Sequence, residues 1–277
     1  MALDATSAAD QALVDRALAD GFRLLKFPGA LEQAFVDAHA AERAVKLSLA
    51  MISAAVFYAC ILIGDAIMTP DDLGFVATLR VGVFGAVALT AVWVLRYLPN
   101  PWLHEWGVTL VAGIACCITG ALALHGNLPL TYTKIIELLL ILSFVGVFAR
   151  FWPLVGLGLV ASVVHAWVFV HAVDTMGTLR LGGSLLLLTT VSFSLYASYV
   201  REHSDRLSFL LDLRELGLRD ALKATNERLD ATARTDALTG AANRRAFDEF
   251  LAQSWARAQA EGLGLSLLMV DVDHFKA

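Results

Sequence analysis

An apolar run over residues 265–270 leads directly into two carboxylates, Asp271 and Asp273. Alternate residues of a strand share a face, so a strand here would set both acids on one side. The carboxyl end of a buried strand in an open α/β sheet is where ligands bind. Carboxylate oxygens suit Mg²⁺, which in turn holds nucleotide phosphates. The same pair also reads as acids that simply close a buried strand. Upstream, Asp236 and Thr239 are short polar side chains suited to capping. Residues 243–260 carry helical spacing through Phe247, Phe250, Leu251 and Trp255, and Gly262 and Gly264 end it. Residues 235–277 therefore read as turn, helix, loop and strand, the strand buried on both faces.

The element that must position this segment is residues 201–234, rich in charge, without proline and with one glycine, Gly217. Apolar positions step as Val200, Leu207, Leu211, Leu218, Leu222 and Leu229, with Ser204, Thr225 and Thr232 filling the series. The four-residue step from Leu218 to Leu222 is a stutter, which locally unwinds a coiled coil. The series predicts a parallel homodimer through residues 201–234. The alternative is a monomeric amphipathic linker packed on its own domain.

Ahead of that helix the chain reads as a membrane protein. Hydrophobic residues make up 58% of the 277 and charged ones only 17%, gathered at the two ends, as the cost of charge in lipid requires. Six segments near the length a bilayer demands fall at 47–68, 76–98, 106–124, 135–152, 154–173 and 181–200. Turn residues separate them, the shortest break being residues 150–153. Residues 7–43 read as an amphipathic helix divided at Gly21 and at Phe27-Pro28-Gly29. Leu13, Ala17, Leu24, Leu31, Phe35 and Val36 are its apolar positions, and it should lie in the interface or pack on the helix ends. Asp4, Asp10, Asp15 and Asp20 stand where a secretory signal would carry basic residues. Basic residues before the first span and after the last put both termini on the cytoplasmic side.

Within or beside the spans stand Asp65, Arg80, Lys134, Glu137, Arg150, His165 and His171, and ionisable residues there are functional candidates by default. Glu137 and His165 are the sharpest sensor candidates. The plainer readings are an Asp65–Arg80 pair, a Glu137–Lys134 pair, and Lys134 and Arg150 reaching for the interface. His165 and His171, six apart, should face different ways. Gly156, Gly158, Gly182 and Gly183 read as close-packing positions. Cys60, Cys116 and Cys117 lie in apolar segments without metal or redox spacing. With net charge −5 and no basic run, nucleic acid is not an expected partner.

Asp236-x-Leu-Thr-Gly, Asn243-Arg244-Arg245 and the apolar strand ending Asp271-x-Asp273-x-Phe275-Lys276 together resemble the opening of the GGDEF domain of diguanylate cyclases. The resemblance covers about the last forty residues. Together with the spans and spacing read above, it gives a fold that is predominantly α: a six-helix transmembrane bundle over 47–200 after a cytoplasmic region 1–46, a coiled-coil helix over 201–234, and the first helix and strand of a truncated α/β GGDEF domain over 235–277. It implies a sensor–transducer in a bacterial inner membrane, multi-pass in the lipid bilayer, whose full-length form condenses two GTP to cyclic di-GMP. By position Asp271 and the Val272 carbonyl would hold Mg²⁺, and the backbone N–H groups of His274 and Phe275 would face phosphates. Asp236, Thr239, Asn243, Arg244 and Arg245 would be scaffold. The guanine-reading residues and the GG[DE]EF hairpin would lie beyond Ala277, so this segment alone is expected to be inactive. The alternatives are a non-enzymatic dimerising membrane regulator, or a parent with a degenerate GGDEF domain or an added phosphodiesterase.

Overall fold

The computed structural model describes residues 8–22, 24–98, 100–125, 128–171, 177–236 and 238–270. Its described part is helical almost throughout, in the order α1 (Ala8–Asp20), α2 (Ala30–Cys60), α3 (Leu62–Met68), a 3-10 turn (Pro70–Asp72), α4 (Leu73–Ala77), a π-helical turn (Thr78–Val83), α5 (Phe84–Tyr97), α6 (Pro101–His125), α7 (Leu128–Phe148), α8 (Phe151–His171), α9 (Gly177–Arg234) and α10 (Arg244–Glu261). The chain forms two compact units, residues 1–214 and 215–277. Their division falls inside α9.

In the first unit, five helical stretches among the described residues are long and apolar enough to cross a membrane: Ala30–Met68, Pro70–Tyr97, Pro101–His125, Phe151–His171 and the α9 region from Leu181. α7 occupies the place of the remaining expected span, but stops at Phe148, short of residue 152. α8 then starts at Phe151, so the break is Ala149–Arg150. Pro153 sits in the first turn of α8, where its missing N–H would have no intrahelical acceptor anyway.

Two apolar cores hold these helices. Leu47, Met51 and Tyr58 of α2 meet Phe84, Ala88 and Leu95 of α5 and Val111, Ala115 and Ile118 of α6. Cys116 of α6, Leu138, Leu142 and Val145 of α7, and Leu154, Leu157 and Ala161 of α8 form the second. Outward positions such as Phe57, Ile63, Leu89, Leu110, Val163 and Phe193 are equally apolar and exposed. A bundle apolar inside and out suits lipid rather than water.

Small residues set the spacing of α6, α7, α8 and α9. A Cβ built at Gly120 would lie 2.4 Å from Val164 Cγ1, one at Gly146 3.1 Å from Ser194 Cβ, and one at Gly158 3.3 Å from Val191 Cγ1. Gly182, by contrast, has open space.

The N-terminal region departs from one continuous amphipathic stripe. Leu24 is exposed, while Val14, Phe22, Leu25 and Phe27 join Leu31 and Phe35 in a third core with Phe209 and Leu210 of α9. α2 begins right after the Phe27-Pro28-Gly29 break and runs on into the first apolar stretch. This segment packs against the part of α9 around Phe209 and Leu210.

In the second unit, no strand forms over residues 265–270, where one was expected. Those residues have no regular structure, and Leu268 and Met269 are almost fully exposed. A strand satisfies its N–H and C=O groups only against a neighbouring strand. Among the described residues the sole such pairing is an isolated antiparallel bridge, Thr235 to Ala242.

The Gly120 contact generates a test. Val164 is β-branched and stiff in a helix, so Gly120→Ala should lower stability by about 1–3 kcal/mol through overpacking. Gly182→Ala should be neutral or slightly stabilising. Thermal unfolding in one detergent distinguishes them, and equal midpoints would contradict the close α6–α8 approach.

Candidate functional site

The turn between α9 and α10 is built from three side chains. Asp236 Oδ1 accepts from the Leu238 N–H at 3.1 Å, the Thr239 N–H at 3.0 Å and the Thr239 hydroxyl at 2.9 Å. Those donors hold the exposed Asp236 carboxyl below its ordinary value, the Thr239 hydroxyl contributing most. Gly240 follows at φ +70°, a left-handed conformation that glycine adopts without strain. Asn243 then binds both helices. Its Nδ2 donates to the Ala233 carbonyl at 2.7 Å and its backbone N–H to Arg234 O at 2.9 Å. Its Oδ1 accepts from the Ala246 N–H at 3.1 Å, capping α10. Arg245 pairs with Glu249 at 3.1 Å, and Arg234 reaches the same acid at 3.3 Å. Arg244 opens α10.

This turn falls inside a segment that compares with a known family. Residues 233–277 match the diguanylate cyclase, GGDEF domain family. No curated protein and no solved structure matches the chain. The GGDEF match includes Asp271, Val272, Asp273, His274, Phe275 and Lys276, all outside the described residues. Among the described residues no group of three or more His, Cys, Asp or Glu side chains could hold a metal ion.

Upstream of the GGDEF segment, the first unit contains a buried four-charge cluster. Arg80, carried by the π-helical turn, donates to Asp65 Oδ2 at 2.5 Å through Nε and to Glu137 Oε2 at 2.7 Å through Nη2. Lys134 Nζ contacts Glu137 Oε1 at 2.6 Å and also pairs with Asp65. Thr119 donates to Glu137 Oε2 at 3.5 Å and lies 3.1 Å from the Tyr58 hydroxyl, while the Arg80 guanidinium sits 4.7 Å above the Tyr58 ring. Every charged member is at most 5% exposed. Two positive and two negative charges cancel, and within the cluster Arg80 Nη1 has no hydrogen-bond partner among the described residues.

Both expected pairs are therefore present, fused into one cluster. The correction concerns Lys134, which turns inward to two acids instead of reaching for the interface. Two carboxylates within bonding distance compensate its lost hydration better than the bundle edge would. The two histidines diverge as their spacing requires. His165 Nε2 lies 3.1 Å from Ser184 Oγ and its Nδ1 lacks a partner among the described residues, while His171 is exposed and stacks on Trp167 at 4.0 Å.

A second charged group closes the end of α7. Arg43 pairs with Glu105 and donates to the Phe148 carbonyl at 3.1 Å; Arg150 lies 3.3 Å from Glu105; Arg201 donates to Gly146 O at 3.0 Å. Terminal carbonyls of a helix need such donors. Arg150 of this group was among the ionisable residues read from the sequence; its partner Glu105 was not. Glu32, Glu202 and Arg206 form a third group that spacing alone did not show.

Two tests follow from this geometry. Lys134→Met leaves an uncompensated buried negative charge and should cost about 3–5 kcal/mol; adding Asp65→Asn restores neutrality and should recover much of the loss. Thermal unfolding of both in one detergent decides, and equal losses would mean that charge balance is not what the cluster provides. For Asp236, a depressed folded-state value means its contribution is complete above the ordinary value of 3.8 and disappears as pH falls through the lower folded value. The Leu238 and Thr239 amide resonances should accordingly titrate below pH 3.8, and Asp236→Ala should abolish that transition.

Proposed function

We propose that the chain is the membrane sensor and transducer of a diguanylate cyclase, located in a bacterial inner membrane with both termini cytoplasmic. The observation that carries this reading is α9: one uninterrupted helix of 58 residues begins in the apolar region and ends at Arg234, where the GGDEF match has just begun. A long charged helix has no evident use in a transporter, whereas it is a direct mechanical link to an output domain. Leu211, Leu218, Leu222 and Leu229 stand exposed along it at coiled-coil spacing, which supports pairing with a second copy.

In the protein that carries the complete GGDEF domain, two such domains would each hold a GTP, and the 3′-hydroxyl of each would lose its proton and attack the α-phosphate of the other, breaking the α–β phosphoanhydride bond and releasing pyrophosphate, once in each direction. Bound Mg²⁺ supplies charge neutralisation at the phosphates. Asp271 and the Val272 carbonyl are the residues of this chain that would hold it, and the N–H groups of His274 and Phe275 would meet phosphate oxygens. Asp236, Thr239, Asn243, Arg244 and Arg245 would keep the turn and α10 in place beneath them. Glu137, in the four-charge cluster, and His165 are the membrane-embedded candidates for sensing.

The test uses the full-length protein in membranes, supplied with GTP and Mg²⁺, with cyclic di-GMP quantified by mass spectrometry. Product should form, and Asp271→Asn should lower its rate at least about 100-fold while leaving helix content and membrane insertion unchanged. No product from the unaltered full-length protein overturns the cyclase reading and favours a non-enzymatic dimerising regulator.

A further inference from the structure

The start of α9's charged part carries two apolar stripes, and only one of them is covered by its own chain. Tyr199, Arg206, Phe209, Leu210 and Leu213 recur at spacings of three, four and seven, and pack under the N-terminal segment. Val200, Leu207 and Leu211 form the other stripe and are exposed. At 3.6 residues per turn the two stripes lie about 120° apart around the helix.

What covers the first stripe is tied down by charge as well as by apolar contact. Arg206 is 2% exposed and makes a forked pair with Glu32, Nη1 to Oε2 at 2.7 Å and Nη2 to Oε1 at 2.9 Å. Its Nη2 also reaches Glu202 at 3.1 Å, and its guanidinium lies 4.9 Å and 4.6 Å from the Phe27 and Phe35 ring centres. Glu32 additionally accepts the Phe27 N–H at 2.8 Å, so the same carboxylate folds the segment and docks it. Phe22 stacks on His203 at 4.6 Å. Leu25 holds φ +55° with its side chain 1% exposed, a conformation that a bulky residue keeps only when surrounding packing enforces it.

We propose that residues 8–36 are a strap that sets the rotational position of α9 as it leaves the apolar region, with Glu32–Arg206 as its latch. The proposal rests on the reading that two copies pair through this helix. While the strap is docked, Tyr199, Phe209, Leu210 and Leu213 are occupied, and a second copy can meet only Val200, Leu207 and Leu211. Release of the strap uncovers the stripe with the larger apolar side chains, Tyr199, Phe209, Leu210 and Leu213. Two paired helices would then turn by about 120° to bury it, because exposed apolar surface is the costlier arrangement. The strap and the second copy thus compete for one helix, and the winner decides which face the copies share.

The experiment uses full-length protein in native membranes with Cys60, Cys116 and Cys117 replaced by Ser and a single cysteine scanned over positions 200–214. Oxidative cross-linking between copies should peak at Val200, Leu207 and Leu211. In Glu32→Gln and in Phe35→Ala, which loosen the latch by charge and by packing separately, the peak should move to Phe209, Leu210 and Leu213 with total cross-linking preserved. Hydrogen exchange over residues 22–36 should rise about tenfold or more in both. An unmoved peak alongside raised exchange overturns the strap alone, and unchanged exchange in both variants overturns the latch. Absence of cross-links at every position of the unaltered protein overturns the paired helix itself, and the strap with it.

Discussion

Neutrality is the constraint on which the first unit depends. A lone ionised side chain inside an apolar bundle is costly, so each buried charge must bring its opposite from another element. Asp65 comes from α3, Arg80 from the π-helical turn, and Lys134 and Glu137 from α7; Thr119 of α6 and Tyr58 of α2 complete the polar shell. None of the four charges is tolerable alone, so the elements that carry them must arrive together. The wide π-helical turn that carries Arg80 belongs to this arrangement, since one-turn π segments often mark functional positions. A site built this way is stable as a whole and sensitive to anything that adds or removes one charge.

How much of this was legible in the sequence depended on range. Lys134 and Glu137 are three apart on one helix, and Asp65 and Arg80 flank one short loop, so spacing and hydropathy were enough to suggest both pairs. That the pairs share their partners is a tertiary fact. Glu32 and Arg206 are 174 residues apart, and no periodicity links them. The α9–α10 turn was readable because Asp236, Thr239, Gly240 and Asn243 act on backbone groups close by, where side-chain chemistry and sequence distance coincide. The strand expected at residues 265–270 failed for the opposite reason: its apolar pattern states what it could pair with but supplies no partner.

The three charged groups divide the work. The buried cluster fixes α3, the π-helical turn and α7 through neutral balance; the arginines at the end of α7 satisfy terminal carbonyls; Glu32, Glu202 and Arg206 hold the N-terminal segment on α9. The last joins Glu32 to Arg206, near opposite ends of the first unit. Its Glu32 side chain is 30% exposed. A partly solvated ion pair contributes less and yields more easily than a buried one, which suits a contact that must open.

The hydrogen bonds around Asn243 have a practical corollary. The hydrogen bonds of the Asp236, Thr239 and Asn243 side chains all end between Ala233 and Ala246, so the joint carries its own instructions. Such a joint is portable. A chimaera that replaces everything upstream should keep the connection intact if the splice falls inside α9 and preserves the heptad count, because a helix shifted by seven residues returns to nearly the same angular setting. A splice off by two or three residues would deliver the same turn pointed a different way. The boundary for exchanging upstream segments is therefore written in units of helical phase, not in residue identity.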